Sequence, residues 1–149
     1  MLSIAKNRKA FHDYFIEDTY EAGLVLTGTE IKSIRQGRVQ LKEAFVSIRN
    51  EEAFVKGMHI AQYSFGNQFN HDETRDRKLL LHKHQIQKLD FQSRAEGYTI
   101  LPLHLYIKDG KAKLEIGLGK GKHLYDKRQV EKERDMDRQI RRAMKEDYR

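Results

Sequence analysis

Two runs in the second half of the chain alternate with a period of two. Leu101, Leu103, Leu105 and Ile107 share one phase, Asp109-Gly110 comes next, and Ala112, Leu114, Ile116 and Leu118 alternate back. An Asp-Gly pair tolerates the positive φ angles of a type I′ turn, so the pattern predicts a β-hairpin. Pro102 cannot donate to a ladder, which places the first of these strands at a sheet edge or bulges it near its start. Residues 44–49 and 53–60 alternate around Asn50-Glu51-Glu52 and predict a second hairpin. Residues 11–20, dense in aromatic and β-branched side chains, predict a strand that Gly23 interrupts. Leu24–Thr27 then continue as a second strand, or as the same one after a bulge, until Gly28.

Helical spacing occurs twice. Thr29 as N-cap, Ile31 with Ile34, and Gly37 past the end predict a short helix over 30–36 that turns Lys32 and Arg35 outward. Ile86 with Leu89 predicts another over 83–95, closed by Gly97. Leu79-Leu80-Leu81 is too brief for a helix and predicts a buried strand, while the polar and aromatic stretch 62–76 predicts a long loop. About six short strands with hairpin links and two to three short helices predict a mainly β fold. The expected form is an OB-like antiparallel barrel with flanking helices.

The alternation stops near Leu118, and the remaining fifth of the chain is of a different kind. With 149 residues, one domain plus an extension is expected, divided into a barrel over 1–123 and a basic C-terminal tail over 124–149. Residues 111–128 hold six Lys or Arg against two acids, whereas residues 129–149 hold seven against six, so the positive field sits where the barrel ends. Glycines 117, 119 and 121 predict a flexible exit that lets backbone approach a partner. Met136, Ile140, Ala143, Met144 and Tyr148 fall at helical spacing among arginines. An isolated helix of that quality is marginal, which predicts a tail disordered when free and helical when bound; the alternative is a helix packed on its own barrel.

The net charge of +7 favours a polyanionic partner, nucleic acid before an acidic membrane surface. Absence of cysteine excludes disulfides, thiol catalysis and cysteine-ligated zinc. Seven histidines fall in no metal-binding spacing, no serine lies in G-x-S-x-G, and Gly117-Leu-Gly-Lys-Gly-Lys lacks the full phosphate-loop pattern. No metal, cofactor or catalytic residue is therefore expected, and the chain is read as a binding protein. Lacking both a run of about 20 apolar residues and the apolar core of a secretory signal, it is expected in the cytoplasm with no membrane partner. Basic clusters interleaved with rings or amides support RNA: Asn7, Arg8 and Lys9 with His12 and Tyr14; Lys32 with Arg35; Arg75, Arg77 and Lys78. A barrel of broad RNA specificity and an RNA-processing hydrolase are the other classes that this charge pattern admits.

Four segments carry a more specific signal. Residues 7–16 (NRKAFHDYFI), 21–35 (EAGLVLTGTEIKSIR), 77–83 (RKLLLHK) and 117–128 (GLGKGKHLYDKR) together resemble the SmpB family of bacterial tmRNA-binding proteins, in order and along essentially the whole chain. The resemblance implies an oligonucleotide-binding-type barrel that grips the tRNA-like domain of tmRNA. It implies entry into stalled ribosomes with alanyl-tmRNA and GTP-bound elongation factor Tu, without catalysis by the chain itself. Carried over by motif, the RNA-binding residues include Asn7, His12, Tyr14, Glu21, Arg35 and Leu80, not all as direct contacts: Glu21 would accept from a base or hydroxyl or orient a neighbouring Arg, and Leu80 would pack against a base or support the barrel. Lys120, Gly121 and Lys122 would line the turn into the decoding site of the ribosome, at 16S rRNA in the A site. Asp126, Lys127 and Arg128 would form the family's Asp-Lys-Arg element, and Tyr125 would stack on an rRNA base. The last helix would lie in the empty mRNA channel.

Overall fold

The structure, a computed structural model of the chain, describes residues 1–65 and 70–122. In chain order the elements are β1 (Leu2–Lys6), α1 (Arg8–Asp13), β2 (Tyr14–Leu24), α2 (Gly28–Arg35), β3 (Val39–Gln40), β4 (Phe45–Arg49), β5 (Glu52–Lys56), β6 (His59–Ile60), β7 (Arg77–Leu80), α3 (Lys83–Ala95), β8 (Thr99–Lys108) and β9 (Lys111–Gly121). Seven strands form one antiparallel sheet in the order β1-β8-β9-β2-β7-β5-β4, while β3 and β6 pair separately. β4 returns against β8, so the sheet curls around the main core. Among the described residues the fold is mainly β with three short helices, as the alternation implied.

Both hairpins form. Asp109 and Gly110 have φ of 51° and 73°, as a type I′ turn requires, and β8 pairs with β9 from Lys108↔Lys111 onward. The β4–β5 link is a two-residue turn at Asn50 and Glu51, both at positive φ. α3 spans the expected residues, and α2 begins slightly earlier than expected. Its N-cap is Thr27, not Thr29, because Thr27 and Glu30 form a reciprocal capping box that Thr29 cannot complete.

The head of the chain departs from expectation. β1 carries no signal in the sequence pattern, and residues 8–13 are helical although their aromatic content favours strand. The local cap overrides that propensity. Asn7 Oδ1 accepts from the Ala10 amide at 3.1 Å, while its Nδ2 donates to Leu41 O at 3.2 Å and Pro102 O at 2.9 Å. Residues 14–24 then form one strand. Its irregularity falls between Glu17 and Thr19, and Gly23 sits in regular register with Leu80 and Lys113. β8 is interior, between β1 and β9, so Pro102 does not mark an edge; a bulge between Pro102 and His104 accommodates it.

These two bulges lie on either side of a straight β9. Past each bulge the strand changes which residues face the core. On β2, Tyr20, Ala22 and Leu24 serve the main core, with Leu105, Leu114, Ile116 and Leu118. Tyr14 and Ile16 instead join Ala10, Leu101 and Leu103 in a second apolar cluster, on the opposite face under α1. Where β9 passes beneath this cluster, it places Gly117 and Gly119 against it. A Cβ on Gly117 would come within 2.8 Å of Leu103 Cδ1, and one on Gly119 within 2.8 Å of Leu101 Cδ1 and 3.1 Å of the Tyr14 ring. The expected flexible exit is thus corrected at these two positions: both glycines are buried in a paired strand, and their role is close packing.

A buried charge cluster ties α2 to the sheet. The Glu30 side chain is fully buried, with Arg75 Nη2 2.6 Å from Oε1, the Thr27 amide 2.8 Å from Oε1, and Arg77 Nε donating to Oε2. Arg77, also fully buried, donates further to the carbonyls of Met58, Asp72 and Glu73. Burial pushes the Glu30 carboxyl up, but donors from Arg75, Thr27 and Arg77 outweigh it and hold the group below its ordinary range. Leu79 packs inward beside Arg77, whereas Leu80 points out, so the leucine triplet is not uniformly buried.

Replacing Glu30 with Gln leaves Arg77 buried without a counter-charge, and is expected to cost about 3–5 kcal/mol in urea unfolding at neutral pH. Because the folded-state pKa lies below the unfolded one, the Glu30 contribution is complete above about pH 4.3 and lost as pH falls through the folded value. The parent protein should therefore lose stability on acidification more steeply than Glu30→Gln. Gly119→Val should overpack the α1-side cluster and cost about 1–3 kcal/mol, an unchanged urea midpoint being the contrary result.

Candidate nucleic-acid interface

On the outer face of the β8–β9–β2–β7 ribbon, polar and apolar groups line an open groove. Glu21 pairs with Glu115, and Gly23 lies between Lys113 and Leu80. Leu80 is 54% exposed, an unusual setting for leucine on a strand, and it lies across Gly23, where a Cβ would come within 3.2 Å of it. Lys78, two residues away on the same face of β7, adds a cation and pairs with Glu52 at 3.5 Å. Glu21, Lys78, Lys113 and Leu80 thus share one groove, flanked by His82 and Lys83 at the start of α3. A hydrogen bond from Tyr106 is the main influence holding the Glu21 carboxyl below its ordinary range; partial burial opposes it, and Lys108 and Lys113 assist. Glu21 is charged there and presents an acceptor among cations.

The other end of the ribbon gathers a second set. Tyr14 pairs with Gly121 and Phe15 with Lys120, so the start of β2 and the end of β9 form one rim. Lys120 Nζ lies 5.5 Å from the Tyr98 ring centroid, and Lys122 Nζ 5.3 Å from that of Phe15. Lys122 also donates to Phe11 O at 3.2 Å, which links the end of β9 to α1. His12 is exposed on α1 with Nδ1 2.8 Å from Asp13 Oδ1; that hydrogen bond is the main cause holding Asp13 below its ordinary range. Arg8 is exposed, and Lys9 pairs with Glu43 at 3.4 Å. Cations and rings at this density suit phosphate contact and base stacking.

Lys32 and Arg35 are exposed on α2, which packs on β6. Lys32 Nζ lies 5.3 Å from the Tyr63 ring, and the neighbouring Arg38 donates to Ser64 Oγ at 3.0 Å. This patch belongs to neither end of the ribbon.

Two sequence candidates are corrected as direct contacts. The Asn7 amide is buried and spent on the α1 cap and two carbonyls, and Arg77 is enclosed with Glu30. Each supports the fold rather than a partner. Tyr125, Asp126, Lys127, Arg128, the predicted tail helix and the boundary at 123 lie outside the described residues. Sequence reasoning missed Phe15, Tyr98, Tyr106, Lys108 and Lys113. The Asp109-Gly110 turn does pair Tyr106 with Lys113, but nothing local reveals that β2 flanks β9. Among the described residues no three His, Asp or Glu are grouped to hold a metal, and no helix is long and apolar enough to cross a membrane.

Known proteins share this architecture and sequence. The SsrA-binding protein of Bacillus cereus (strain AH820) is 58% identical over 143 residues, covering 96% of this chain and 92% of that protein. The SsrA-binding protein of Geobacillus kaustophilus is 57% identical over the same length, with the same coverage. A chain solved in work described as "tmRNA-SmpB: a journey to the center of the bacterial ribosome" superposes with a TM-score of 0.68 at 42% identity, covering 80% of this chain and 85% of that one. The family model for SmpB protein matches residues 4–146. With a ribbon, groove and rim built from the segments that carry this likeness, the chain belongs to the SmpB family.

Proposed function

We propose that the chain binds the tRNA-like domain of tmRNA and delivers it to stalled ribosomes in trans-translation. The observation that carries this reading is identity of 58% with an SsrA-binding protein across 96% of the chain. The geometry supports it. One rigid ribbon joins a groove with an acceptor and cations to a rim of rings and lysines, and RNA recognition outside a regular duplex draws on such groups. The barrel, residues 1–123, grips RNA through Glu21, Leu80 and Lys78 in the groove and through Arg8, Lys9, His12 and Tyr14 at the rim, with Lys32 and Arg35 adding phosphate contacts. Asn7 and Arg77 act by holding α1 and β7 in place.

The segment 124–149 enters the decoding site and mRNA channel, with Lys120, Gly121 and Lys122 at its root and Tyr125, Asp126, Lys127 and Arg128 against 16S rRNA. The chain acts with alanyl-tmRNA and GTP-bound elongation factor Tu, in the cytoplasm. It works as a binding protein without catalytic chemistry or cofactor of its own.

Removing residues 124–149 should leave affinity for the tRNA-like domain within about twofold of the full chain while abolishing peptide tagging on stalled ribosomes. Equal loss of both would refute the division of labour. Competition between tmRNA and bulk tRNA tests the specificity itself: a barrel of broad specificity would bind both alike, with a steep salt dependence.

A further inference from the structure

The Glu21 carboxylate is held from one side. The Tyr106 hydroxyl donates to Oε2, and Lys108 Nζ lies 3.7 Å from the same oxygen. Among the described residues no partner holds Oε1. Tyr106 reaches Glu21 across β9, passing Lys113 and Glu115, which pair with Tyr106 and Glu21 respectively. Its ring is only 5% exposed and tilts against His104, centroids 5.1 Å apart; His104 Nε2 in turn lies 2.7 Å from Ser3 Oγ on β1. Three strands therefore fix where the hydroxyl stands. Packing alone would be met by phenylalanine, which has the same volume without the oxygen. The hydroxyl's one hydrogen bond among the described residues goes to Glu21, and Glu21 needs such a donor because Glu115 opposes it directly across the ladder.

We propose that Tyr106 is the positioning residue for Glu21: by holding Oε2 on the protein side, it aims Oε1 into the groove at a hydrogen-bond donor of the RNA, a base amino or imino group or a ribose 2′-hydroxyl. This rests on the reading of Glu21 as an RNA contact. A carboxylate fixed in advance loses less freedom on binding, and its charged acceptor forms a stronger bond than a neutral one. Without the hydroxyl, Glu21 is left to Lys108, a half-exposed side chain 3.7 Å away.

The test is a double-mutant cycle on the full chain, with an RNA of the tmRNA tRNA-like domain as probe. Affinities are measured well below the lowest melting temperature in the set. Glu21→Ala should weaken binding about tenfold or more, and Tyr106→Phe about five- to tenfold. In the Glu21→Ala background, Tyr106→Phe should change affinity less than twofold, because the group it positions is gone. A merely structural tyrosine would lose the same factor in both backgrounds, with melting temperature falling in step, and that result overturns the proposal. So does unchanged affinity of Tyr106→Phe while Glu21→Ala binds weakly. Unchanged affinity of Glu21→Ala alone overturns the RNA-contact reading of Glu21 and the positioning role with it.

Discussion

A β-strand offers its side chains to two faces in strict alternation, and this protein needs apolar side chains on both faces of one ribbon. The two bulges meet that demand. By slipping one residue in β2, opposite Leu118 and Gly117, and one in β8, opposite Ile116 and Glu115, the sheet sends Ile100, Leu105 and Ala22 to the barrel core. Leu101, Leu103, Tyr14 and Ile16 go to the cluster under α1. β9, between them, stays straight and yields space with glycine instead. Helix α1, the rim and the paired end of β9 all depend on this arrangement, since without the second cluster α1 would have nothing apolar to cover.

The buried Glu30–Arg77 pair performs a comparable service at the groove. Arg77 and Leu79 face inward on β7, so Lys78 and Leu80 must face out, and the ion pair fixes that choice of face. A charged pair in the interior is a poor source of net stability compared with apolar packing. Its value here is directional. Four guanidinium hydrogen bonds, to Glu30 and to the carbonyls of Met58, Asp72 and Glu73, admit one register for β7. That register sets Leu80 beside Gly23 and within reach of Glu21.

Legibility in the sequence tracked the range of the interactions. The β8–β9 hairpin and α3 could be read because turn residues, alternation and helical spacing are local. Helix α1 could not, because its local cap competes with the strand propensity of its rings, and the bonds that fix the capping Asn7, to Leu41 and Pro102, span 34 and 95 positions. The glycines at 117 and 119 suggested flexibility for the same reason: the side chains that need their space belong to other strands. In the candidate site, charge and aromatic content pointed to clusters that the fold sets along the ribbon and on α2, while burial separated Arg77 and Asn7 from the exposed members. Tyr106 is a tyrosine in an alternating strand until the register places its hydroxyl on Glu21.

The pairing of β9 has a mechanical consequence. Its last residues are bonded to β2 as far as Tyr14↔Gly121 and to β8 as far as Thr99↔Gly119. A pull on the chain beyond Lys122, directed along the strand, loads both ladders in shear. Bonds in shear share force in parallel, whereas bonds that are peeled break one after another. The end of the barrel is thus anchored like a lap joint with two cover plates.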